Sequence, residues 1–379
     1  MLQHVFTTVK DLFKKEEVLL QPIIKSDELC LLKRKASNVL SCPLPQTTTL
    51  IGKDVAIVKE IRTQTTLHNQ DNITRTNAYL QFYKRNPEIH WALLAHLVSR
   101  NGGYHMTDLK GNLLESVLSS NRKQAYFEFL ERANALIFQD AYPQLLLYEE
   151  SKRQMKNFFH LLPVFHVSRF MQMMWNHYVK TMNHSLLTLC LITNEQHYID
   201  KRVIHHPIYH KQVVDTWQFT LQEFFGFTRV LFPFYKNDKV RLTGVTVQQF
   251  DSVNKRIEVG KSLYSLLFSH PDILKGATVF TNTHVHTASR SDYAPFLFST
   301  HKKEKRIYSP TLPTAWPIVR HTFFDQSDWF NDISVMDQLS QLTITPYIDF
   351  TDQYIEKMTP LLLLSKTPLL REDNTTSSS

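Results

Sequence analysis

A chain of 379 residues, 42% hydrophobic with 25 Phe, is long enough for one large domain or two modest ones and too apolar to be intrinsically disordered. Only 8 residues are Gly, which argues against hairpin-rich folds and Gly-rich nucleotide-binding loops, and for long helices joined by short polar loops. The net charge of +8 is uneven: from Thr322 onward nine acids face only Lys357, Lys366 and Arg371, a net −6 that leaves +14 on residues 1–321. Such a division suits either an anionic partner or an internal charge match.

The three cysteines, Cys30, Cys42 and Cys190, form no CxxC pair. Their odd number fits structural thiols in a reducing compartment. Residues 1–20 lack the continuous apolar core of a secretory signal, and the most apolar run, Leu186 to Ile192, is far short of the ~20 residues of a membrane span. A cytoplasmic protein with no membrane span is expected.

In chain order, residues 1–40 read as an irregular or short-helical arm. Pro43, Pro45 and the following threonines make a linker, so residues 1–50 form an N-terminal arm and linker. Val55, Ile57, Val58, Ile61 and Thr65 give Lys53–His68 the spacing of an amphipathic helix. Asn72 is expected to cap a helix through Thr76, Tyr79, Leu80 and Tyr83. Asn86 and Pro87 then open another, with a stop at Asn101-Gly102-Gly103. Further helices are expected near Lys123–Asp140, Pro143–Asn157, Val164–Met182, Leu186–Val203 and Val213–Val230, and one capped by Thr246 runs through Phe268. Residues 276–320 read as less regular, with at most a minor strand pair near 278–286. Residues 371–379 read as a disordered tail. The expected fold is mostly α: a multi-helix, bundle-like domain over residues 51–360, with two sub-bundles meeting near residue 160 as an option.

The densest polar chemistry lies between Asn72 and Asp108. On a helical wheel after Pro87, Trp91, Leu94, Ala95, Leu97 and Val98 form a broad apolar arc. Glu88, His96, Ser99 and Arg100 form a thin polar stripe, bordered by Ile89 and Leu93. A helix apolar nearly all round is usually buried, and a buried charge must be paired. Glu88, His96 and Arg100 are therefore expected inside, where they would position a ligand, do acid–base work or simply tie helices together; the last is the commonest outcome. Gly102-Gly103 invites an anion-binding nest of backbone N–H groups, with Asn72, Arg75 and Asn77 upstream folding back onto it.

A second cluster runs from Thr283 to Tyr293. His284 and His286 would share a face in an extended chain, and with Asp292 they have the chemistry of metal ligands; a polar loop with Arg290 and Asp292 paired is the plainer reading. His205, His206 and His210 are interrupted by Pro207, which opens a helix and leaves His206 outside it. Glu258-Val-Gly-Lys-Ser262 resembles the end of a P-loop but has Lys255 where the motif needs Gly. No GxSxG, catalytic-Cys or zinc-finger pattern is present. No metal and no cofactor are expected.

Several stretches are similar to the YppC-like group of Bacillus-type bacteria, a domain of unknown function. They are Asn72-Ile-Thr-Arg-Thr-Asn-Ala-Tyr79, Pro87 to Ala92, Val98 to Gly103 with Met106 to Leu109, Ala133-Asn134, and Asp140 to Pro143. Phe232-Pro233, Arg256 to Lys261, and His286-Thr-Ala-Ser-Arg-Ser-Asp-Tyr293 complete the set. In that group the last motif usually carries Gly where Ala288 stands and bulkier residues where Ala294 and Phe296 stand, a departure that weakens any binding role carried over to this loop. The resemblance implies a bacterial cytosolic setting and carries no mechanism.

The residues point first to non-catalytic binding of an anionic ligand or partner: a phosphate-bearing metabolite, nucleic acid or an acidic protein surface. The pocket would comprise Asn72, Arg75, Glu88, His96, Arg100, Asn101 and Asp108, joined by His286, Arg290 and Asp292. The alternative is a hydrolase or transferase with His96 or His286 as general base and Glu88 or Asp108 as partner. A third reading is salt-dependent nucleic-acid binding.

Overall fold

Glycine scarcity becomes long, uninterrupted helix. The computed structural model describes residues 19–43, 50–114, 118–214, 229–247 and 249–366. In chain order they form β1 (Leu20–Pro22), α1 (Ser26–Ser41), α2 (Lys53–His68), α3 (Asn72–Arg85), α4 (His90–Asp108), α5 (Ser120–Gln154), α6 (Arg169–Thr181) and α7 (His184–Ile199). After these come β2 (Arg229–Lys236), β3 (Lys239–Thr246), α8 (Val253–Phe268), α9 (Pro271–Thr283), β4 (Phe298–Ser299), β5 (Ile307–Tyr308), β6 (Gln341–Thr343) and α10 (Thr351–Lys366). The strands make only two-stranded sheets: β1 with β6 and β2 with β3 antiparallel, β4 with β5 parallel. The protein is mostly α. No helix among the described residues is long and apolar enough to cross a membrane.

Where the chain departs from its local signals, a tertiary contact explains it. Asp71, not Asn72, caps α3: its carboxylate accepts from the Thr74 amide at 2.8 Å while the Thr74 hydroxyl accepts from the Asp71 amide at 3.0 Å. This reciprocal box releases the Asn72 side chain to point inward. Pro87 lies in a turn, and α4 starts only at His90. The expected stop at Gly102-Gly103 does not occur, and α4 continues to Asp108. A Cβ at Gly103 would fall on Asn72 Oδ1, 2.9 Å from His286 Nε2 and 3.0 Å from the Ala288 Cβ. Gly is thus needed there for close approach, not for a turn, and packing outweighs its poor helix propensity.

Pro143 was expected to divide two helices, yet α5 runs through it, with Ala141, Tyr142 and Leu145 buried around it. Residues 229–230, expected at the end of a helix, open β2; positions 215–228 lie outside the described residues. The β2–β3 turn is Asn237-Asp238, with φ of 51° and 58°, a left-handed pair that Asn and Asp tolerate. Residues 278–283, read as strand, are the last turns of α9. The arm holds a full 16-residue helix, α1. Residues 1–18, the linker segment 44–49 and the tail expected at 371–379 lie outside the described residues.

Two apolar clusters fill the interior, and α4 and α5 feed both. Trp91, Leu94 and Leu97 join Phe138, Trp175 and Leu191 in one; Tyr104 and Met106 join Tyr126, Phe298 and Trp316 in the other. Beyond Trp316 the chain crosses the helical body as a largely irregular strap. Its acids meet basic residues of the body: Asp325 with Arg202 at 3.4 Å, Asp328 with Arg169 at 3.0 Å, Asp349 with Arg241 at 3.9 Å, and Asp337 with Lys33. Part of the charge division of the sequence is therefore an internal match.

The glycine pair separates cleanly by substitution. At Gly102 an added Cβ meets nothing nearer than Asn134 Nδ2 at 3.4 Å, so Gly102→Ala is expected to be neutral or stabilising by roughly 1 kcal/mol. Gly103→Ala is expected to cost about 2–3 kcal/mol through overpacking. Urea unfolding of the two variants measures both; equal effects would contradict the packing role of Gly103.

Candidate functional site

Freed by the Asp71 cap, Asn72 donates from Nδ2 to the Ser99 carbonyl at 2.9 Å and hydroxyl at 3.1 Å, and its Oδ1 accepts from His286 Nε2 at 2.9 Å. His286 Nδ1 lies 3.5 Å from Asp292 Oδ2, and Arg100 Nη2 lies 3.7 Å from the same oxygen. Arg100 also donates to the His284 carbonyl at 2.8 Å and to the Tyr104 hydroxyl at 3.2 Å. One turn on, Arg290 grips Asp108 in a fork, with Nε at 2.8 Å and Nη2 at 2.7 Å. Its Nη1 donates to the Tyr293 and Tyr354 hydroxyls at 2.6 and 2.9 Å. The 284–293 loop is thereby locked along α4 in a continuous buried polar seam. Ala288, in that loop, has φ of 64°, a conformation Gly adopts without the Cβ penalty.

Both seam histidines are neutral near pH 7. Burial lowers His286 to about 4 against the pull of Asp292. Burial and the Arg100 charge hold His96 well below its ordinary value, with Nδ1 donating to the Thr76 carbonyl at 2.8 Å. Burial alone would raise Asp108, but Arg290 and His105 bring it below the usual carboxylate range. Arg75 is spent on Glu131 and on Asn69 Oδ1. Asn101 Oδ1 accepts from the Leu231 amide at 3.1 Å and so ties β2 to α4.

The structure brings together Asn72, Arg100, Asp108, His286, Arg290 and Asp292. It leaves Glu88 apart: ahead of α4 and half-buried, Glu88 accepts from Lys152 at 2.6 Å and from the Tyr148 hydroxyl at 2.8 Å. The wheel placed it beside His96 because it assumed helix from Pro87. The expected anion nest is corrected as well. The Gly102 and Gly103 amides lie within α4, and Arg75, Arg100 and Arg290 are all buried and engaged with internal partners. Among the described residues, no group of three or more His, Cys, Asp or Glu is arranged to hold a metal ion.

The opposite side of Ser99 opens on a cavity of about 160 Å³ between α4, α5, α7 and α8. Its walls are Leu94, Ala95 and Val98, Ile137, Val259 and Leu263, with the rings of Tyr79, Trp91 and Phe250. Its polar groups are Ser99, Asn134, Glu195, Gln196 and Arg256. Glu195 Oε2 accepts from Trp91 Nε1, and its Oε1 from Gln196 Nε2, each at 3.2 Å. Gln196 Oε1 in turn accepts from Arg256 Nε at 3.0 Å, while Arg256 Nη2 pairs with Asp200. Burial raises the Glu195 carboxyl to about 8, and the nearby Asp140 adds to the rise. Sequence reading missed Glu195. The signal was present: an acid one turn past the apolar run of α7, on a helix buried nearly all round.

Two larger spaces are open grooves. One of about 1130 Å³ lies between α2, α3 and α5, and its rim charges pair with each other, Arg85 with Glu149 and Arg153 with Glu150. The other, about 490 Å³, lies between α1 and α6.

Residues 67–360 match the protein family described as "Protein of unknown function (DUF2515)". The chain belongs to the DUF2515 family. It is also similar to the uncharacterized protein YppC of Bacillus subtilis (strain 168), 40% identical over 302 residues that cover 79% of this chain and 92% of that protein. No solved structure matches. The DUF2515 region starts at the end of α2 and ends within α10, so both the seam and the cavity belong to it.

The DUF2515 region also holds a fully buried acid, Asp140, close enough to Glu195 for its charge to act on it. Asp140 Oδ2 accepts from Asn194 Nδ2 at 2.6 Å and Gln144 Nε2 at 2.8 Å, its Oδ1 has no partner, and burial raises it to about 7. A raised acid keeps its proton in the fold after the unfolded chain has lost it near 4, so stability falls as pH rises between those values. Asp140→Asn keeps an acceptor for both donors and removes the titration. It is expected to remove on the order of 3 kcal/mol of the stability lost between pH 4.5 and 7.5, measured by urea unfolding at both pH values. An unchanged pH slope would show that Asp140 is not a buried neutral acid.

Proposed function

We propose that the protein is a non-catalytic binder of a small, mostly apolar molecule held in the cavity between α4, α5, α7 and α8. The observation that carries this reading is a partly open space of about 160 Å³ with apolar walls and a few convergent polar groups, the usual make-up of a ligand pocket. An apolar void of about 150 Å³ admits a benzene-sized molecule. The reading keeps binding ahead of catalysis and keeps the site on the 72–108 segment, since α4 supplies Trp91, Leu94, Ala95 and Ser99.

It moves the site off the arginines. An anionic ligand at the seam would have to displace Asp108, Asp292 or Glu131 from the cations they neutralise. A catalytic role for His96 or His286 needs a cleft beside the ring, and neither lines the cavity or the two grooves. Nucleic-acid binding loses part of its electrostatic motive where the strap acids meet the basic body, and the net +8 of the chain is all that favours it.

Thermal unfolding with millimolar benzyl alcohol or indole tests the site. The wild-type midpoint is expected to rise by about 2 °C or more at saturation. Ala95→Leu, which fills the cavity, is expected to keep its own transition and lose the response. No response from the wild type, or an equal one from the variant, would remove the cavity as the site.

A further inference from the structure

Glu195 is an acid whose surroundings treat it as an anion. Both of its oxygens accept N–H bonds, one from Trp91 and one from Gln196. Among the described residues no basic side chain forms an ion pair with it. The charges around it offer no substitute. From α8, Arg256 reaches it only through Gln196, and that guanidinium is already held by Asp200 and by the Phe250 and Asp251 carbonyls. From α5, Asp140 repels its charge; from α3, Tyr79 brings a phenol whose own ionisation Glu195 opposes. On α4 its neighbour is the neutral indole of Trp91. Glu195 is partly shielded from water, and a carboxylate so shielded without a counter-ion is costly, which favours its protonated form.

The free volume lies next to Glu195, and three aromatic residues, Tyr79, Trp91 and Phe250, border it, a side-chain type that attracts cations as well as apolar groups. We propose that the cavity takes a small aromatic or alkyl ammonium compound, whose cationic nitrogen pairs with the Glu195 carboxylate while its apolar body fills the space between Leu94, Ala95 and Leu263. This rests on the cavity being the ligand site and assigns the chemical class of that ligand. Binding is a balanced exchange: the ammonium enters as a cation, the Glu195 carboxyl gives its proton to solvent, and the ion pair replaces the neutral acid. Affinity for an ammonium therefore rises with pH until the carboxyl is ionised, near 8. A neutral ligand gains nothing from that ionisation, and a carboxylate ligand meets a like charge.

Calorimetric titration of the full chain with benzylamine, benzyl alcohol and benzoate at pH 6 and pH 8 tests the assignment. Benzylamine is expected to bind at least about tenfold more tightly than benzyl alcohol at pH 8, and roughly 50-fold more weakly at pH 6 than at pH 8. In Glu195→Gln the benzylamine advantage and its pH dependence are both expected to vanish, while benzyl alcohol binds as before and shows that the cavity is intact. Benzyl alcohol binding with no preference for the amine, or with a preference for benzoate, overturns the ammonium assignment and leaves the cavity as a site. Failure of all three compounds to bind overturns the site itself.

Discussion

The contact on which the remaining structure depends is the close approach of α4 to α3 and to the 284–293 loop at Gly103. With no Cβ in the way, the Asn72 carboxamide lies over the α4 backbone and takes the His286 N–H bond. The loop is then close enough for Asp292 to face Arg100 and for Arg290 to fork Asp108. These groups sit at or below about 5% exposure or directly against such residues. Buried charges of this kind are worth little as net stabilisation but are expensive to break, about 3–5 kcal/mol when one partner is lost. Their consequence is positional: few other arrangements of α3, α4 and the loop satisfy every charge at once.

That constraint divides the two sides of α4. On the seam side, the charged groups face one another, both histidines are neutral, and His96 Nε2, Arg100 Nη2 and His286 Nδ1 are buried without a hydrogen bond. On the other side, Ser99 and Trp91 face a space whose one acid lacks a counter-ion. Ser99 joins the two, since its hydroxyl pairs with Thr76 at 2.6 Å and accepts from Asn72 while the residue lines the cavity. The seam fixes the wall against which a ligand would rest. The acidic strap packs onto the same helix by stacking Trp329 on His197, two residues beyond Glu195, with ring centroids 4.5 Å apart.

Much of this was legible because periodicity and burial are local. The thin stripe on α4 required His96 and Arg100 to be inside, and they are. Asn72, Arg290 and Asp292 were singled out from two distant segments that the fold brings together. What failed, failed where a distant contact reversed a local rule. Gly102-Gly103 reads as a stop until Asn72 and His286 are known to lie over it. Pro143 reads as a break until its buried neighbours are counted. Asn86-Pro87 reads as a helix start, whereas Pro87 sits in a turn and Glu88 leaves toward Lys152. Asn237-Asp238 lacks the glycine that normally announces a two-residue hairpin turn. Glu195 was overlooked because a lone acid carries no motif; only the absence of a cation in three dimensions distinguishes it.

Amide hydrogen exchange along α4 tests the central constraint most directly. If α4 is one helix pinned at Gly103, the amides from Leu94 to Asp108 exchange together and only through global unfolding, with Gly102 and Gly103 as slow as Leu97. Rapid local exchange at Asn101 to Tyr104, with protection retained before it, would mean that the helix stops there, and would contradict the seam built on its second half.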